Sequence, residues 1–295
     1  MRSIRILLDQ IVNYAGLFPP ASLDMDAAVG SYAAYRRSKD AWALGRFIVP
    51  VARLEEFEAA AYPWLSQGAW RVSVLAGSDV GAAVETIARF NRRHAAGTGS
   101  TAAAIDTIEL KATHIDDIAA GMRALPGWLT PYFEIPIDSD PRELVAALAR
   151  QGARAKVRTG GVRQELFPPV VDLAWFIHTC ATAQVPFKAT AGLHHPVRSL
   201  RRLTYEQDSP SGMMHGFLNV FLAAAFLHAG MLPDQAPEIL EEVAPDAFRF
   251  DGDGVTWRGR RLDDDSLARA RRLAVAFGSC SFREPLDDLK TIGLL

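Results

Sequence analysis

Ionisable side chains recur inside short apolar segments of this chain. Lys156 and Arg158 stand two residues apart in one segment, and Lys188 and Thr190 stand two residues apart in another. If these segments are strands, each pair shares a face, because successive side chains of a strand alternate between its two faces. Charged groups in apolar strands are costly to bury unless they are paired. The pattern therefore predicts a charged cluster at one end of a sheet.

Acidic residues occupy comparable places in two further segments. Glu109 and Lys111 share a face of one, and Glu134 lies within Phe133-Glu134-Ile135. One interpretation is a structural layer of salt bridges inside a barrel, or charges at strand ends that face solvent. The other is a reactive site.

The reactive interpretation rests on the two lysines. A lysine becomes nucleophilic when burial or a second cation lowers its pKa. Lys156 and Lys188 on adjacent parallel strands, about 5 Å apart, would have this effect on each other. Glu134 or Asp106 could then move protons during imine formation and carbon–carbon cleavage. Asp106 and Glu109 are expected on opposite faces, so at most one of them faces the lysines.

Strand-like and helix-like segments alternate along the chain, which predicts parallel strands with right-handed crossovers. The predicted strands are 46–50, 70–77, 105–111, 131–137, 154–158 and 185–190, with helices between them. Two more strands, at 4–8 and 273–277, would complete eight. We therefore predict an α/β fold, a single (β/α)8 TIM-type barrel domain over residues 1–295.

A long segment, 196–272, separates the sixth of these strands from the last. It contains a predicted helix over 212–229 and a predicted hairpin over 248–257 that turns at Asp-Gly. Loops that follow barrel strands lie on the catalytic side, so we expect this insertion to cover the barrel mouth. His215 and Asn219, four residues apart, would then face inward.

Two of the charged strands end in glycine-containing turns, Lys156-Val157-Arg158-Thr159-Gly160-Gly161 and Lys188-Ala189-Thr190-Ala191-Gly192. Here the chain resembles the class I aldolase barrels, most closely the deoxyribose-phosphate aldolase family. The resemblance implies that Lys156 forms a Schiff base, that Lys188 tunes it, and that Asp106 of Ile105-Asp106 helps to move protons. It also implies that Phe277-Gly278-Ser279-Cys280-Ser281 cradles a substrate phosphate. Arg158 and the pair His194-His195 are foreign to the family pattern.

These arguments predict a lyase that acts on a small carbonyl compound through a lysine imine, without a cofactor. Arg158 and the backbone of the two turns would hold an anionic group of the substrate. The predicted substrate-binding set is Glu109, Lys111, Arg158, Thr159, Gly160, Gly161, Thr190, His194, His195, His215, Asn219, Gly278, Ser279 and Ser281. For Ser281 the alternative is a capping box with Glu284 at a helix start.

Two other functions are left open by the sequence. His194, His195 and His215 with Glu109 and Glu134 could bind a divalent metal ion in a metal-dependent barrel enzyme, although the spacing matches no standard metal motif. A non-catalytic barrel for ligand binding or assembly would instead pair all of its strand charges and leave no pocket.

Composition narrows the class of protein. The chain has 295 residues with 49% hydrophobic residues and a net charge of −2, and it has no basic tract. This gives no electrostatic reason to expect nucleic acid or membrane partners, so we expect a small-molecule substrate, with a homo-oligomer as an open possibility. Two cysteines make no disulfide framework, and we expect a cytoplasmic protein. Cys280 has no histidine near it in sequence, which argues against a nucleophilic role.

Overall fold

Eight parallel strands close into a barrel in the computed structural model, which describes residues 2–95 and 102–295. The barrel strands are β1 (Val12–Tyr14), β2 (Leu44–Pro50), β3 (Trp70–Leu75), β4 (Ala103–Lys111), β5 (Thr130–Glu134), β6 (Arg154–Arg158), β7 (Phe187–Thr190) and β13 (Ala274–Ser279). Neighbours follow chain order from β1 to β7, and β13 pairs with both β7 and β1. The predicted α/β barrel of the TIM type is confirmed.

Helices alternate with these strands and surround the barrel. They are α1 (Arg2–Leu8), α2 (Met25–Arg36), α3 (Leu54–Ala61), α4 (Val80–Ala95), α5 (Ile115–Ala124), α6 (Arg142–Gln151), α7 (Val170–Ala183), α8 (Phe217–His228), α9 (Ala236–Leu240), α10 (Asp264–Ala270) and α11 (Arg283–Thr291). The prediction of a first strand at 4–8 is wrong, because this segment belongs to α1. Ile4, Leu7 and Leu8 are buried at the three- and four-residue spacing of one helical face.

The hydrophobic core lies between the strands and the helices. Phe277 on β13 stacks against Phe217 of α8 with ring centroids 5.2 Å apart, and it also contacts Phe221. Two strands away from β13, Phe47 of β2 packs against Phe57 of α3. Because strand side chains alternate, the residues between these aromatic ones face the barrel axis. Strand alternation thus sends the large aromatic residues outward, whereas the interior holds charged and polar residues together with smaller apolar ones such as Ile48 and Ala276.

The segment between β7 and β13 forms three parts. The hairpin of β8 (Ser199–Arg202) and β9 (Ser211–Met214) comes first. Helix α8 then packs against α7 and β13, in the place of the ordinary barrel helix that follows the seventh strand. A three-stranded sheet of β10 (Phe248–Phe250), β11 (Gly254–Trp257) and β12 (Arg260–Asp263) completes the segment. Of the helix predicted over 212–229, only Phe217–His228 is helical, because Ser211–Met214 is strand β9. This helix is part of the outer helical ring and not a cover over the mouth.

These parts lie at different ends of the barrel. The hairpin is at the carboxyl end of the strands, where the Met213 amide donates to Oε1 of Gln164 in the loop after β6. The three-stranded sheet is at the amino end, where Ser3 Oγ of α1 donates to the carbonyl of Asp251. Of the segment 196–272, which we expected to cover the mouth, only the hairpin part is on that side.

By length and composition, the stretch Gln164–Ala183 passes as a candidate membrane span. In the structure its helical part is α7, and residues such as Phe176, Ile177 and Cys180 are buried within the molecule. It serves the barrel as one of the helices of the outer ring.

A charged candidate active site at the carboxyl end of the barrel

Glu109 is the centre of a buried cluster inside the barrel. Its Oε2 lies 2.9 Å from Nζ of Lys156, and its Oε1 pairs with Nζ of Lys188. The same Oε1 accepts a hydrogen bond from Ser73 Oγ at 2.7 Å. One carboxylate therefore pairs with two buried ammonium groups.

Glu134 extends this cluster towards the mouth. Its Oε2 is 2.8 Å from Nζ of Lys156, and its Oε1 is 3.2 Å from the guanidinium of Arg158. The charges thus run without a break from Arg158 through Glu134, Lys156 and Glu109 to Lys188. Arg158 is the exposed end of this chain and Lys188 the buried end.

Strand register explains why residues far apart in sequence meet here. Glu134 of β5, Lys156 of β6 and Lys188 of β7 are direct neighbours across three parallel strands. Each is flanked by buried apolar residues that face the helices, for example Ala155 and Val157 around Lys156. The alternation that the sequence predicts therefore holds, and it turns the four charges to the inside.

The two lysines differ in their electrostatic environment. Burial lowers the pKa of Lys188 to about 8; Glu109 opposes this effect, and the nearby Lys156 reinforces it. For Lys156, burial also acts to lower the pKa, but Glu109 and Glu134 outweigh it and raise the pKa above its ordinary value. Despite its burial, Glu109 keeps a pKa well below the usual range because of the two lysines. The lysine pair therefore releases its first proton most easily at Lys188.

A pocket of about 670 Å³ opens beside the cluster at the carboxyl ends of β3, β4 and β5. Its polar lining consists of Ser78, Glu109, Lys111, Asp117, Glu134 and Lys156. Lys188 is deeper, with 1% of its surface exposed, and its Nζ is 5.1 Å from the centre of the Tyr132 ring. Of the two lysines paired with Glu109, Lys156 is thus the one that a molecule in the pocket would meet.

Asp106 does not join this cluster. It pairs with Arg46 at 2.6 Å and with Arg71 at 3.1 Å, three residues before Glu109 in β4. Burial opposes its ionisation, but the two arginines hold the pKa of Asp106 at about 2. The carboxylate that faces both lysines is Glu109, and the prediction of Asp106 as the group that moves protons is not supported by this placement.

The glycine-containing turns hold the loops after β6 and β7 together. Thr159 donates from its amide to the Thr190 carbonyl at 2.9 Å and from its hydroxyl to the Ala191 carbonyl at 2.6 Å. A Cβ on Gly160 would come within 2.8 Å of the Gly192 Cα, and a Cβ on Gly161 within 2.4 Å of Leu166. Close packing accounts for both glycines, against the other loop at Gly160 and within its own loop at Gly161. The Thr159 donors predicted for an anion are already engaged.

The end of β13 is likewise engaged in internal hydrogen bonds. The Ser279 carbonyl accepts from the Ala15 amide at 2.7 Å, and Ser279 Oγ accepts from the Ser281 amide. Gly278 lies beside Thr190 in the register of β7 and β13. Ser281 Oγ accepts from the Glu284 amide at 3.1 Å, which is half of the predicted capping box. The Glu284 carboxylate does not complete it, because it faces His194 instead.

The predicted histidine set is divided among separate partners. His194 Nδ1 is 2.8 Å from Glu284, and His195 Nδ1 is 2.6 Å from Asp288. His215 Nε2 donates to the Pro168 carbonyl at 2.9 Å. Within residues 2–95 and 102–295, no three or more His, Cys, Asp or Glu side chains form a group that could hold a metal ion. The five residues considered as a metal site are thus not brought together.

Asn219 has a structural role on α8. Its Oδ1 accepts from the Arg198 amide, and its Nδ2 donates to the carbonyls of Ile239 and Glu242. Both His215 and Asn219 are bound by neighbouring loops, so neither faces inward from a lid. This correction follows from the position of α8 in the outer ring.

Three residues that make contacts here were not identified from the sequence, namely Ser73, Tyr132 and Cys280. Ser73 and Tyr132 contact the lysine cluster, and both occupy inward positions of strands, a signal that alternation alone offered. Cys280 Sγ lies 4.0 Å from Nε2 of His194, a contact between residues that are 86 positions apart. No local pattern could have revealed that pair.

No family model and no curated protein matches the chain. What the geometry itself establishes is a TIM barrel with ionised groups and a pocket at the carboxyl end of its strands, where enzymes of this fold carry their active sites.

Proposed function

We propose that this protein is an aldolase-like lyase that forms an imine between a lysine and a small carbonyl substrate. The observation that carries the proposal is the pairing of Lys156 and Lys188 with one carboxylate, Glu109, next to an open pocket. A non-catalytic barrel would also pair its charges, but it would have no reason to keep a pocket beside them. The free state of both cysteines suits the cytoplasm as its compartment.

Imine formation requires an amine that can reach the substrate and a low pKa that leaves an amine neutral, and each lysine meets one of these requirements. Lys156 has access to the pocket, whereas Lys188 has the lowered pKa. Because both amines bind the same carboxylate, they titrate as a pair, and the pKa of about 8 belongs to the pair as much as to Lys188. A proton can pass from Lys156 through Glu109 to a neutral Lys188. This transfer leaves the neutral amine on the lysine that faces the substrate.

The reaction then follows from the groups in contact. Nζ of Lys156 attacks the carbonyl carbon, and loss of water gives a cationic imine that Glu109 and Glu134 stabilise. Glu134 is 2.8 Å from the same Nζ and next to the pocket, so it is the base that would take the proton of the substrate β-hydroxyl during carbon–carbon cleavage. The resemblance to deoxyribose-phosphate aldolases gives Lys156 and Lys188 the same roles, with Glu109 in place of the aspartate.

The same pocket suggests an anionic substrate. Arg158 and Lys111 are cations at or near the rim, and Arg158 is 44% exposed beside Glu134. An arginine fork binds carboxylate or phosphate groups with two donors at once. We therefore propose small carbonyl compounds with one anionic group as the substrate class, held by these two side chains and not by the glycine turns.

Reductive trapping tests the imine. The protein is incubated with a panel of small aldehydes and ketones, with and without an anionic group, reduced with borohydride and mapped by peptide mass spectrometry. We expect one adduct per chain, on Lys156. Lys156→Met should abolish the adduct, and Lys188→Met should slow its formation at least tenfold because the proton acceptor is lost. Lys39→Met, at an exposed lysine, is the matched control and should trap like the unmodified protein.

The proposal fails if no compound of the panel is trapped, or if the adduct is spread over lysines outside the cluster, such as Lys39 and Lys290. It also fails if activity on a substrate found by this screen survives both methionine variants.

A further inference from the structure

Cys280 is surrounded by polar side chains from three separate segments. It follows β13 directly and precedes α11. His194 comes from the loop after β7, Tyr205 from the hairpin between β8 and β9, and Glu284 from the first turn of α11. Sγ of Cys280 is 4.0 Å from Nε2 of His194 and 3.6 Å from the Tyr205 hydroxyl.

These contacts have the order of a nucleophile, a base and an orienting carboxylate. Nδ1 of His194 is 2.8 Å from Oε2 of Glu284, which turns Nε2 towards the sulfur. The Tyr205 hydroxyl donates to the same Oε2 at 3.2 Å. Catalytic contacts of this kind are often long before a substrate binds, so a separation of 4.0 Å between sulfur and nitrogen suits a resting site.

The electrostatics agree with this order. Burial acts to lower the pKa of His194, but Cys280 and Glu284 outweigh it and raise the pKa to about 10. A proton on the imidazole is therefore favoured next to the sulfur. The titratable groups that face Cys280 are His194, Glu284, Tyr205 and, from β1, Tyr14.

A small cavity adjoins the site. It measures about 30 Å³, and its lining includes His194, Tyr205 and Glu284. Space of this size holds about two water molecules. Cys280 itself does not line the cavity and is buried behind His194 and Tyr205, so only a short acyl group is expected to reach its sulfur.

We propose that Cys280 is the nucleophile of a second site, which takes short acyl groups from activated esters, with His194 as the base and Glu284 as the residue that positions it. In the reacting state the proton shared by the thiol and the imidazole is on Nε2 of His194, and Sγ bonds to the acyl carbon. The ester carbon–oxygen bond breaks, and His194 returns the proton to the leaving oxygen. Water then attacks the thioester, which releases a carboxylic acid and restores the thiol.

Acetylation by p-nitrophenyl acetate tests this site in the full-length protein. We expect a burst of about one p-nitrophenolate per chain and an acetyl group on the peptide that contains Cys280. Cys280→Ser should abolish the burst. The matched control is Cys180→Ala, which removes the other cysteine from its buried place in α7 and should leave the burst unchanged.

Two variants separate the roles of the neighbours. His194→Gln should slow acylation at least about 10²-fold, the usual contribution of a general base. Glu284→Gln should move the pH profile of acylation to higher pH, because the imidazolium loses its carboxylate. A merely structural Glu284 would lower stability without moving that profile.

A second measurement needs no variant. At pH 6, iodoacetamide should alkylate Cys280 faster than it alkylates free N-acetylcysteine, and much faster than Cys180. A burst that survives in Cys280→Ser, acetylation of Cys180 or lysine instead of Cys280, or alkylation of Cys280 no faster than the free thiol would overturn the proposal. None of these readouts depends on imine formation, so this site and the lysine site stand or fall separately.

Discussion

At the scale of single residues, Glu109 stabilises the interior more than its one charge suggests. Its carboxylate is almost fully buried, and it partly neutralises the positive charges of two lysines that are themselves buried. A buried charge that loses its partner costs several kcal/mol, whereas the intact group of charges adds little net stability. The intact cluster therefore adds little to the free energy of unfolding, but the loss of one of its charges lowers that free energy strongly.

Replacement of Glu109 tests this reasoning. We expect Glu109→Gln to lower the free energy of unfolding by about 3–5 kcal/mol, because two ammonium groups then share an interior without their common carboxylate. Urea denaturation followed by circular dichroism measures the change. Glu85→Gln, at an exposed position of α4, should leave the curve unchanged. A Glu109→Gln curve that overlies that of the control would contradict the assignment of Glu109 as the hub.

The lowered pKa of Lys188 gives a pH dependence with a definite sign. Between about pH 8, its value in the folded protein, and the ordinary value of 10.5, the unfolded chain binds more protons at this residue than the folded one. Stability contributed by Lys188 therefore rises with pH through that window, and its unfavourable contribution is largest below it. From pH 7.5 to pH 10, the urea midpoint of the unmodified protein should rise relative to that of Lys188→Met. If the midpoints of the two proteins shift equally with pH, or if the unmodified protein loses stability relative to the variant, burial does not lower the pKa of Lys188.

At the scale of elements, the loops after β6 and β7 touch through two glycines. Gly192 has a φ of +78°, and a Cβ there would come within 2.7 Å of the Gly160 Cα, which is backbone and cannot rotate away. These loops set the carboxyl ends of the two strands that carry the lysines.

We expect Gly192→Ala to cost about 1–3 kcal/mol of unfolding free energy from the clash together with the strained backbone. Gly230→Ala separates the two causes, since Gly230 also has a positive φ, +95°, but a Cβ there meets no atom within 4 Å. Its cost should be clearly smaller in the same urea experiment. Equal losses would show that backbone strain, and not contact between the loops, is what requires glycine at 192.

Helix α8 gives another prediction at this scale. Asn219 joins α8 to the loop at Arg198, to the Ile239 carbonyl in α9 and to the Glu242 carbonyl just after it, and it is completely buried. Asn219→Ala should destabilise the protein by about 1–3 kcal/mol for the polar groups left without a partner. Borohydride trapping by the folded variant should be unchanged. A loss of trapping at full stability would restore the idea that Asn219 faces the substrate.

The elements also show how far the sequence could be used. Alternation of apolar runs and amphipathic stretches was sufficient for seven of the eight strands and for the shared inward face of Lys156, Lys188, Glu109 and Glu134. The first strand escaped detection because Val12–Tyr14 is only three residues long, while the predicted strand, the apolar run before it, has helical spacing. Alternation left open whether Asp106 or Glu109 faces the lysines, because it fixes only that the two are on opposite faces. The pairing of β3 with β4 also has a bulge between Val72 and Ser73, beside Asp106, and bulges leave no mark in sequence.

At the scale of the whole molecule, stability and chemistry occupy different spaces. Apolar packing lies between the strands and the helices, and the charges lie inside the barrel. Phe277 belongs to the first of these spaces. It stacks on Phe217, contacts Phe221, and its amide donates to the Ile11 carbonyl where the barrel closes.

We expect Phe277→Ala to lower the unfolding free energy by about 3–5 kcal/mol through the cavity it leaves. Because Phe277 faces away from the interior, the folded variant should keep the pKa of the lysine pair, measured as the pH dependence of borohydride trapping. Leu200→Ala, at an exposed hairpin position, is the control and should change neither quantity. A shifted trapping profile in Phe277→Ala would show that the two spaces are coupled.

The pairing of β13 with both β7 and β1 has a consequence for how the chain is made. About 80 residues separate the end of β7 from the start of β13, and at about 5–20 residues per second a ribosome needs roughly 4–16 seconds to add them. Throughout that time β1 and β7 offer unpaired edges that other nascent chains can join. We therefore expect aggregation to start from nascent chains on the ribosome and not from the folded barrel. Slower translation of residues after 190 would lengthen the time for which these edges are unpaired.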